Sequence, residues 1–313
     1  DIVAITNGAD LTVSNLTLVG PGNYKGYFDL DKYDGGKGIF VAVPETRQGV
    51  VNVKLTNVSV TGVGNHGVHV SDCSLGDNCG GGSGGGGNGS PASIDMQLVD
   101  VTVDGVGFGR QDADGVRVDE RADGDIIFSA SNSRFINVGA DGVELDEGND
   151  GNVILNVRNS TFNTNGEYCL FDTDLENGDE KCLDDGDPDV DDGFDVDEAG
   201  AGSITGKVSN LVVESNFDEG LDFDEEDEGG IDLEITSVYA INNEDEGIKL
   251  SEEDEGSINA SLKAIDLQNN NGSKEDSEIE EEDEGTVAVT VTGSSIDELK
   301  VEEDGTEAGT IKV

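Results

Sequence analysis

The sequence predicts an all-β protein wound as a parallel β-helix, a solenoid of about nine to ten coils with three short strands in each coil of ~27 residues. Three observations predict it. Apolar and polar residues alternate along nearly all of the 313 residues, which is the pattern of half-buried strands. An acid-Gly pair recurs at a fixed step: Gly115 to Gly142, Gly193 to Gly220 and Gly220 to Gly247 are each 27 residues. A second glycine closes a turn inside each unit, at Gly124, Gly151, Gly202, Gly229 and Gly256.

Taken in order, "IVAITNGADLTVSNLTLVG" (2–20) reads as a first coil, and 21–37 is an inserted loop holding Tyr24, Tyr27, Phe28 and Tyr33. Gly67 to Gly115 spans 48 residues, 21 more than one step, and an insertion at about 73–92 accounts for the excess. The next unit divides into "GVRVDE", "DIIFSA" and "SRFINV" (115–138), separated by Gly, Asn and Asp turns. Gly142 to Gly193 spans 51, and its extra 24 residues lie at about 167–191. "LKVEEDGTEAGTIKV" (299–313) reads as a partial coil of a single domain spanning 1–313. Positions one and three after each leading glycine are apolar (Val116/Val118, Val143/Leu145, Phe194/Val196, Leu221/Phe223, Ile248/Leu250) and point inward; positions two and four are mostly polar and point out. Stacked at ~4.8 Å, the coils form a rod of about 45 Å.

The repeat, with its Asn-containing turns "TNV" (56–58), "SNS" (131–133) and "RNS" (158–160), resembles the right-handed parallel β-helix superfamily, the pectate-lyase-like fold, over essentially the whole chain. The resemblance implies the winding and its hand. It implies no single activity, because that fold carries lyases, hydrolases, adhesins and fibres; the features below point to a non-catalytic calcium-binding or surface-fibre type.

With 70 Asp+Glu against 17 Lys+Arg, the net charge is -53, which excludes nucleic acid and anionic membrane as partners and points to cations, high salt or basic surfaces. Hydrophobic content of 34% at such charge would suit disorder, but the sustained alternation argues for order. No apolar run approaches ~18 residues. Opening on Asp1, the chain reads as a processed or excised segment. The cysteines fall as two local pairs, Cys73/Cys79 and Cys169/Cys182. Clustering favours two local disulfides and an extracellular or cell-surface location, although free buried thiols are the alternative.

Stacking turns the acids into columns. Four places after the leading glycine stand Asp119, Asp146, Asp197, Asp224 and Ser251, then Glu120, Glu147, Glu198, Glu225 and Glu252; the opening acids are Asp114, Asp141, Asp192, Glu219, Glu246 and Asp276. Like charges ~4.8 Å apart repel by roughly 0.9 kcal/mol even in water, so a ladder of them needs counter-ions. Ca²⁺, which takes oxygen ligands in irregular geometry, is the predicted cofactor of these columns. The bland alternative is a halophile's solvated acidic surface. "DPDVDDGFDVDE" (187–198) places Asp187, Asp189 and Asp191 as further cation ligands; the EF-hand it partly matches requires Gly where Asp192 stands. Sequons at Asn15, Asn57, Asn88, Asn159, Asn259 and Asn271 are compatible with glycosylation, and the use of Asn in turns explains most of them equally well.

A second function class competes. Two places after the leading glycine come His69, Arg117, Glu144 and Asp195, flanked by Ser71, Asp119, Asp146 and Asp197. The resemblance would make Arg117 the base of a polysaccharide lyase, or the acids the catalytic pair of a glycoside hydrolase, with Asp119, Glu144 and Asp146 as metal or acid groups. No second basic residue lies close to Arg117, and although "NHGVHV" (65–70) faintly resembles the Gly-His-Gly of polygalacturonases, neither the Asp-Asp pair nor the Arg-x-Lys that should accompany it is at a matching place. The strand-like end segments "DIVAI" and "GTIKV" favour instead a structural or adhesive protein that adds end to end into an extracellular fibre, with a glycan or cell surface as partner.

Overall fold

A computed structural model describes residues 1–22, 36–73, 89–108, 112–166, 191–271, 276–283, 285–303 and 310–312. Every strand pairing among them is parallel, as the winding requires. One sheet has ten strands in chain order: Val3–Ile5, Ile39–Ala42, Val68–Ser71, Val116–Glu120, Val143–Glu147, Phe194–Ala199, Asp224–Glu226, Ile248–Asp254, Ser277–Asp283 and Leu299–Glu303. The intervening chain forms a second sheet of fourteen strands. In the unit beginning at Gly115, Val116–Glu120 joins the first sheet, while Ile126–Ser131 and Arg134–Ile136 join the second.

The register repeats the spacing of the sequence. Val116 pairs with Val143 and Val143 with Phe194, so equivalent residues lie side by side on successive windings. Their alternate side chains fill the interior: Val116, Val118, Val143, Leu145, Phe194, Val196, Leu221, Phe223, Ile248 and Leu250 are fully buried. Phe135, Phe162 and Phe194 stack with ring centroids 5.2 and 5.4 Å apart, and Phe223 meets Phe194 edge-on at 5.8 Å. Such contacts add stabilisation beyond area burial.

Corners are built by local chemistry. In the second sheet the chain bends on a single left-handed residue, within a strand at Asn15, Asn57 and Asn210 and between strands at Asn132 and Asn159, with φ between 52° and 56°. Asn tolerates that region better than other residues with a side chain, which is why the predicted turns carry it. A second corner holds a buried amide ladder. Asn165 Nδ2 donates to Asn216 Oδ1 at 3.0 Å, Asn216 Nδ2 to Asn243 Oδ1 at 2.9 Å, and Asn243 Nδ2 to Asn270 Oδ1 at 2.9 Å. The leading glycines stand over it; a Cβ at Gly193 would come within 2.6 Å of Asn216 Nδ2.

The insertions at 21–37, 73–92 and 167–191 lie mostly outside the described residues. Cys79, Cys169, Cys182, Asp187 and Asp189 are among those outside, and both predicted cysteine pairings are therefore outside as well. Cys73 is buried at the end of its strand.

Candidate metal centre on the ten-stranded sheet

The outer face of the first sheet carries two polar columns. Register places His69, Arg117, Glu144 and Asp195 in line, and Lys249, Glu278 and Lys300 further along. Asp222 falls between them, because Phe194 bridges Leu221. Beside this line run Ser71, Asp119, Asp146, Asp197, Asp224, Ser251, Glu280 and Glu302. The opening acids form an edge to both, and each winding's amide ties to the last: the Asp141 N–H donates to Asp114 Oδ1 at 3.2 Å and the Asp192 N–H to Asp141 Oδ1 at 2.6 Å.

Basic residues neutralise both ends of the strip. Arg117, 5% exposed, donates from Nε to Asp119 Oδ1 at 2.7 Å, from Nη1 to Glu144 Oε2 at 2.5 Å and Asp112 Oδ1 at 3.2 Å, and from Nη2 to Asp146 Oδ2 at 3.3 Å. Arg121 also pairs with Asp146, so a second basic residue does lie close to Arg117, contrary to the reading of the sequence. His69 Nε2 lies 2.6 Å from Asp119 Oδ2. Burial pushes the Asp119 carboxyl up, but the Arg117 and His69 contacts outweigh it and hold Asp119 well below the usual carboxylate range. Burial and the nearby basic groups lower His66 well below its ordinary value, leaving it neutral, and its Nδ1 accepts the Asp114 N–H at 2.9 Å. Further along, Lys249 Nζ lies 2.9 Å from Asp222 Oδ2 and 3.5 Å from both Glu219 Oε1 and Asp224 Oδ2. Lys300 pairs with Glu278 and, at 3.3 Å, with Glu302.

In the middle of the strip only part of the acid is compensated: Glu144 stays paired with Arg117, and Glu219 and Asp222 with Lys249, while the acids between them have no such partner among the described residues. Asp141, Asp192 and Asp195 bring carboxylate oxygens within 4.8 Å of one another; so do Glu144, Asp195 and Asp197, and again Asp192, Glu219 and Asp222. Among the described residues no basic side chain pairs with Asp141, Asp192, Asp195 or Asp197. Asp192 and Asp222 are 8% and 5% exposed. Each buries an Oδ1 without a hydrogen-bond partner. Burial first, and then the surrounding acids, raise Asp141, Asp192, Asp195 and Asp222 well above the ordinary carboxylate value. An anionic cluster in this state holds protons or a cation.

The predicted ligands thus divide into groups. Asp141 and Glu219 each approach Asp192 in the middle of the strip, in separate groups, and Asp197 lies with Glu144 and Asp195. Asp114, Asp119, Asp146 and Asp224 are engaged by Arg117, Arg121, His69 or Lys249. Glu246 accepts from Asn271 Nδ2 at 2.5 Å. Asp191 is half-buried near Asp141 and adds to its charge. Glu120, Glu147, Glu198, Glu225 and Glu252 are 0% exposed and turn into the body, away from the strip, because an odd position faces inward. Three participants have roles that the column argument had not assigned: Asp222, Lys249 and Arg121. Extending the line of His69, Arg117, Glu144 and Asp195 by two more units would have reached the first two.

No family model matches the chain, and no curated protein matches it. Among solved structures, the catalytic domain of a GH87 alpha-1,3-glucanase in complex with tetrasaccharides aligns at 12% identity and a TM-score of 0.18, covering 99% of this chain and 62% of that one. The chain therefore spans less than two thirds of that structure's length, and so slight a likeness carries no argument about activity. What the protein's own pairings establish is an all-β fold of parallel sheets, wound in the manner of a β-helix.

Proposed function

We propose that this protein is an extracellular structural or adhesive β-helix, right-handed as parallel crossovers nearly always are, that binds Ca²⁺ in the middle of its acidic strip. One observation carries the reading. Between Arg117 and Lys249 the strip runs through Glu144, Asp195 and Asp222 with no basic residue in line, and Asp192 and Asp222 bury oxygens that lack a donor. Asp141, Asp192 and Asp195 supply oxygens from two successive windings to an ion that tolerates irregular coordination, and Glu219 and Asp222, shared with Lys249, border it; Mg²⁺ demands a stricter octahedron.

Polysaccharide cleavage around Arg117 has less in its favour. A base must be able to lose its proton, whereas Glu144 and three aspartates overcome the effect of burial and raise the Arg117 guanidinium well above its ordinary value. The net charge of -53 also repels acidic polysaccharides. End-to-end assembly into a fibre is part of the proposal, since parallel strands can add further parallel strands at an uncovered edge.

Calorimetric titration of metal-stripped protein with Ca²⁺ tests the site. Binding is expected, with affinity at least roughly tenfold weaker in Asp195→Asn and Asp192→Asn. Equal affinity in both variants, or no heat of binding in the parent, would sink the assignment.

A further inference from the structure

Two corners of the solenoid carry buried ladders of the same form but different chemistry. In the amide ladder each Asn both donates and accepts, so the column from Asn165 to Asn270 is self-complementary. At the other corner the column is acidic: Asp72, Glu120, Glu147, Glu198, Glu225, Glu252 and Glu281, all 0% exposed. Neighbouring members from Asp72 to Glu252 lie within hydrogen-bonding reach of one another. Two ionised carboxylates have no hydrogen to share, since each is an acceptor only.

Backbone donors cover only part of the demand. The Ala122 N–H donates to Glu120 Oε2 at 3.1 Å and the Asn149 N–H to Glu147 Oε2 at 3.2 Å. The other oxygen lies over a glycine four residues later, where a Cβ at Gly124 or Gly151 would come within 2.9 or 2.8 Å. Glu198 and Glu225 find no donor for either oxygen. The charged groups bearing most strongly on Glu120, Glu147, Glu198 and Glu225 are Asp72, Asp227, Glu252 and one another; Asp119 adds to Asp72. No basic side chain is among these groups. Among the described residues, the carboxylate groups that bring three oxygens within 4.8 Å of one another lie on the strip and not in this column, so the column does not gather the six to eight oxygens that Ca²⁺ takes.

We infer that the interior column from Glu120 to Glu281 is a chain of protonated carboxyl groups, each donating its proton to the carboxyl of a neighbouring winding, with Asp72, whose two oxygens also accept the Ser90 and Arg121 N–H groups, as its acceptor end, so that the corner is a proton-loaded, pH-sensitive seam. A run of n such groups joined by n − 1 contacts holds n − 1 protons and one charge. This gives the recurring Glu-x-x-x-Gly its purpose: the glutamate donates along the axis, and the glycine makes room for it. The direction of the titration agrees. Burial, followed by the neighbouring acids, raises Glu120 and Glu198 to about 11, and burial raises Glu225 to about 8 against the hydrogen bond from Glu198. The folded state therefore binds protons that the unfolded chain releases, and the seam's contribution is fully present in acid and is lost as pH rises.

Infrared spectroscopy of the full chain at neutral pH, with Ca²⁺ and separately with chelator, tests this. A carbonyl band of un-ionised carboxylic acid is expected under both conditions in the parent, and is expected to shrink in E147Q/E198Q/E225Q, whose amides reproduce the donor-acceptor pattern of the asparagine ladder. In saturating Ca²⁺, the parent's melting temperature should fall by several degrees between mildly acidic and alkaline buffer, and the fall should be at least halved in the triple variant. A band absent from folded parent protein at neutral pH, or one that disappears when Ca²⁺ is added, would overturn the inference, and the parent alone decides this if the variant does not fold. Loss of calorimetric Ca²⁺ binding with the band intact would count against the strip and leave the seam standing.

Discussion

Arg117 Nη1 donates to Glu144 Oε2 at 2.5 Å, joining two adjacent strands of the first sheet through a guanidinium that also meets Asp112, Asp114, Asp119 and Asp146. One cation thus compensates five acids drawn from two windings. Replacing it by an apolar side chain of similar length leaves Glu144 and Asp114 buried without a charged partner, while Asp119 keeps His69 and Asp146 keeps Arg121. Arg117→Met should lower unfolding free energy by about 3–5 kcal/mol in urea titration, the usual cost of removing one side of a buried charge cluster.

Lys249 acts as a built-in counter-ion for Glu219, Asp222 and Asp224. Its removal should extend the cation-free stretch of the strip by one winding. Lys249→Ala is expected to bind additional Ca²⁺ relative to the parent, read as a rise in calorimetric stoichiometry or tighter binding by roughly tenfold.

The asparagine ladder is a chain in which each member satisfies the next. Asn216→Ala removes the partner of Asn165 Nδ2 and of the Asn165 N–H, and the donor to Asn243, all at buried positions. A loss of about 2–4 kcal/mol is expected by chemical denaturation, with little change in Ca²⁺ affinity.

Metal-free protein should be most stable in acid. Burial, and then neighbouring acids, hold Asp197 at about 7, and burial holds Asp146 at about 8 despite Arg121 and Arg117. Both exceed the unfolded value of about 3.9. The folded state thus keeps protons that the unfolded chain has lost, and stability falls as pH climbs from about 4 through about 8. Melting curves in chelator should show this slope, and excess Ca²⁺ should flatten it in part by replacing protons on the strip while leaving the interior column unchanged.

The repeat was legible because alternation and glycine spacing are dictated by the backbone; Val116 under Val143 follows from a step of 27 residues whatever the loops do. Asn57 and Asn159 were legible as turns because few side chains accept a left-handed backbone. Direction was harder to read. Glu147 and Asp146 are neighbours in sequence, yet one points inside and the other onto the strip, and composition gives no warning that a carboxyl column can be interior. Long side chains were harder still, since the reach of Arg117 across two windings depends on rotamers rather than on register.

Because the oxygens around the proposed ion come from several windings, each bound Ca²⁺ rivets one turn of the spring to the next. A pull along the winding axis would meet the Arg117 cluster and the asparagine ladder as well, but only at Asp192 would its resistance depend on an ion. Unravelling would stall there, leaving a short anchored segment whose mechanical strength is set by the calcium in the surrounding fluid.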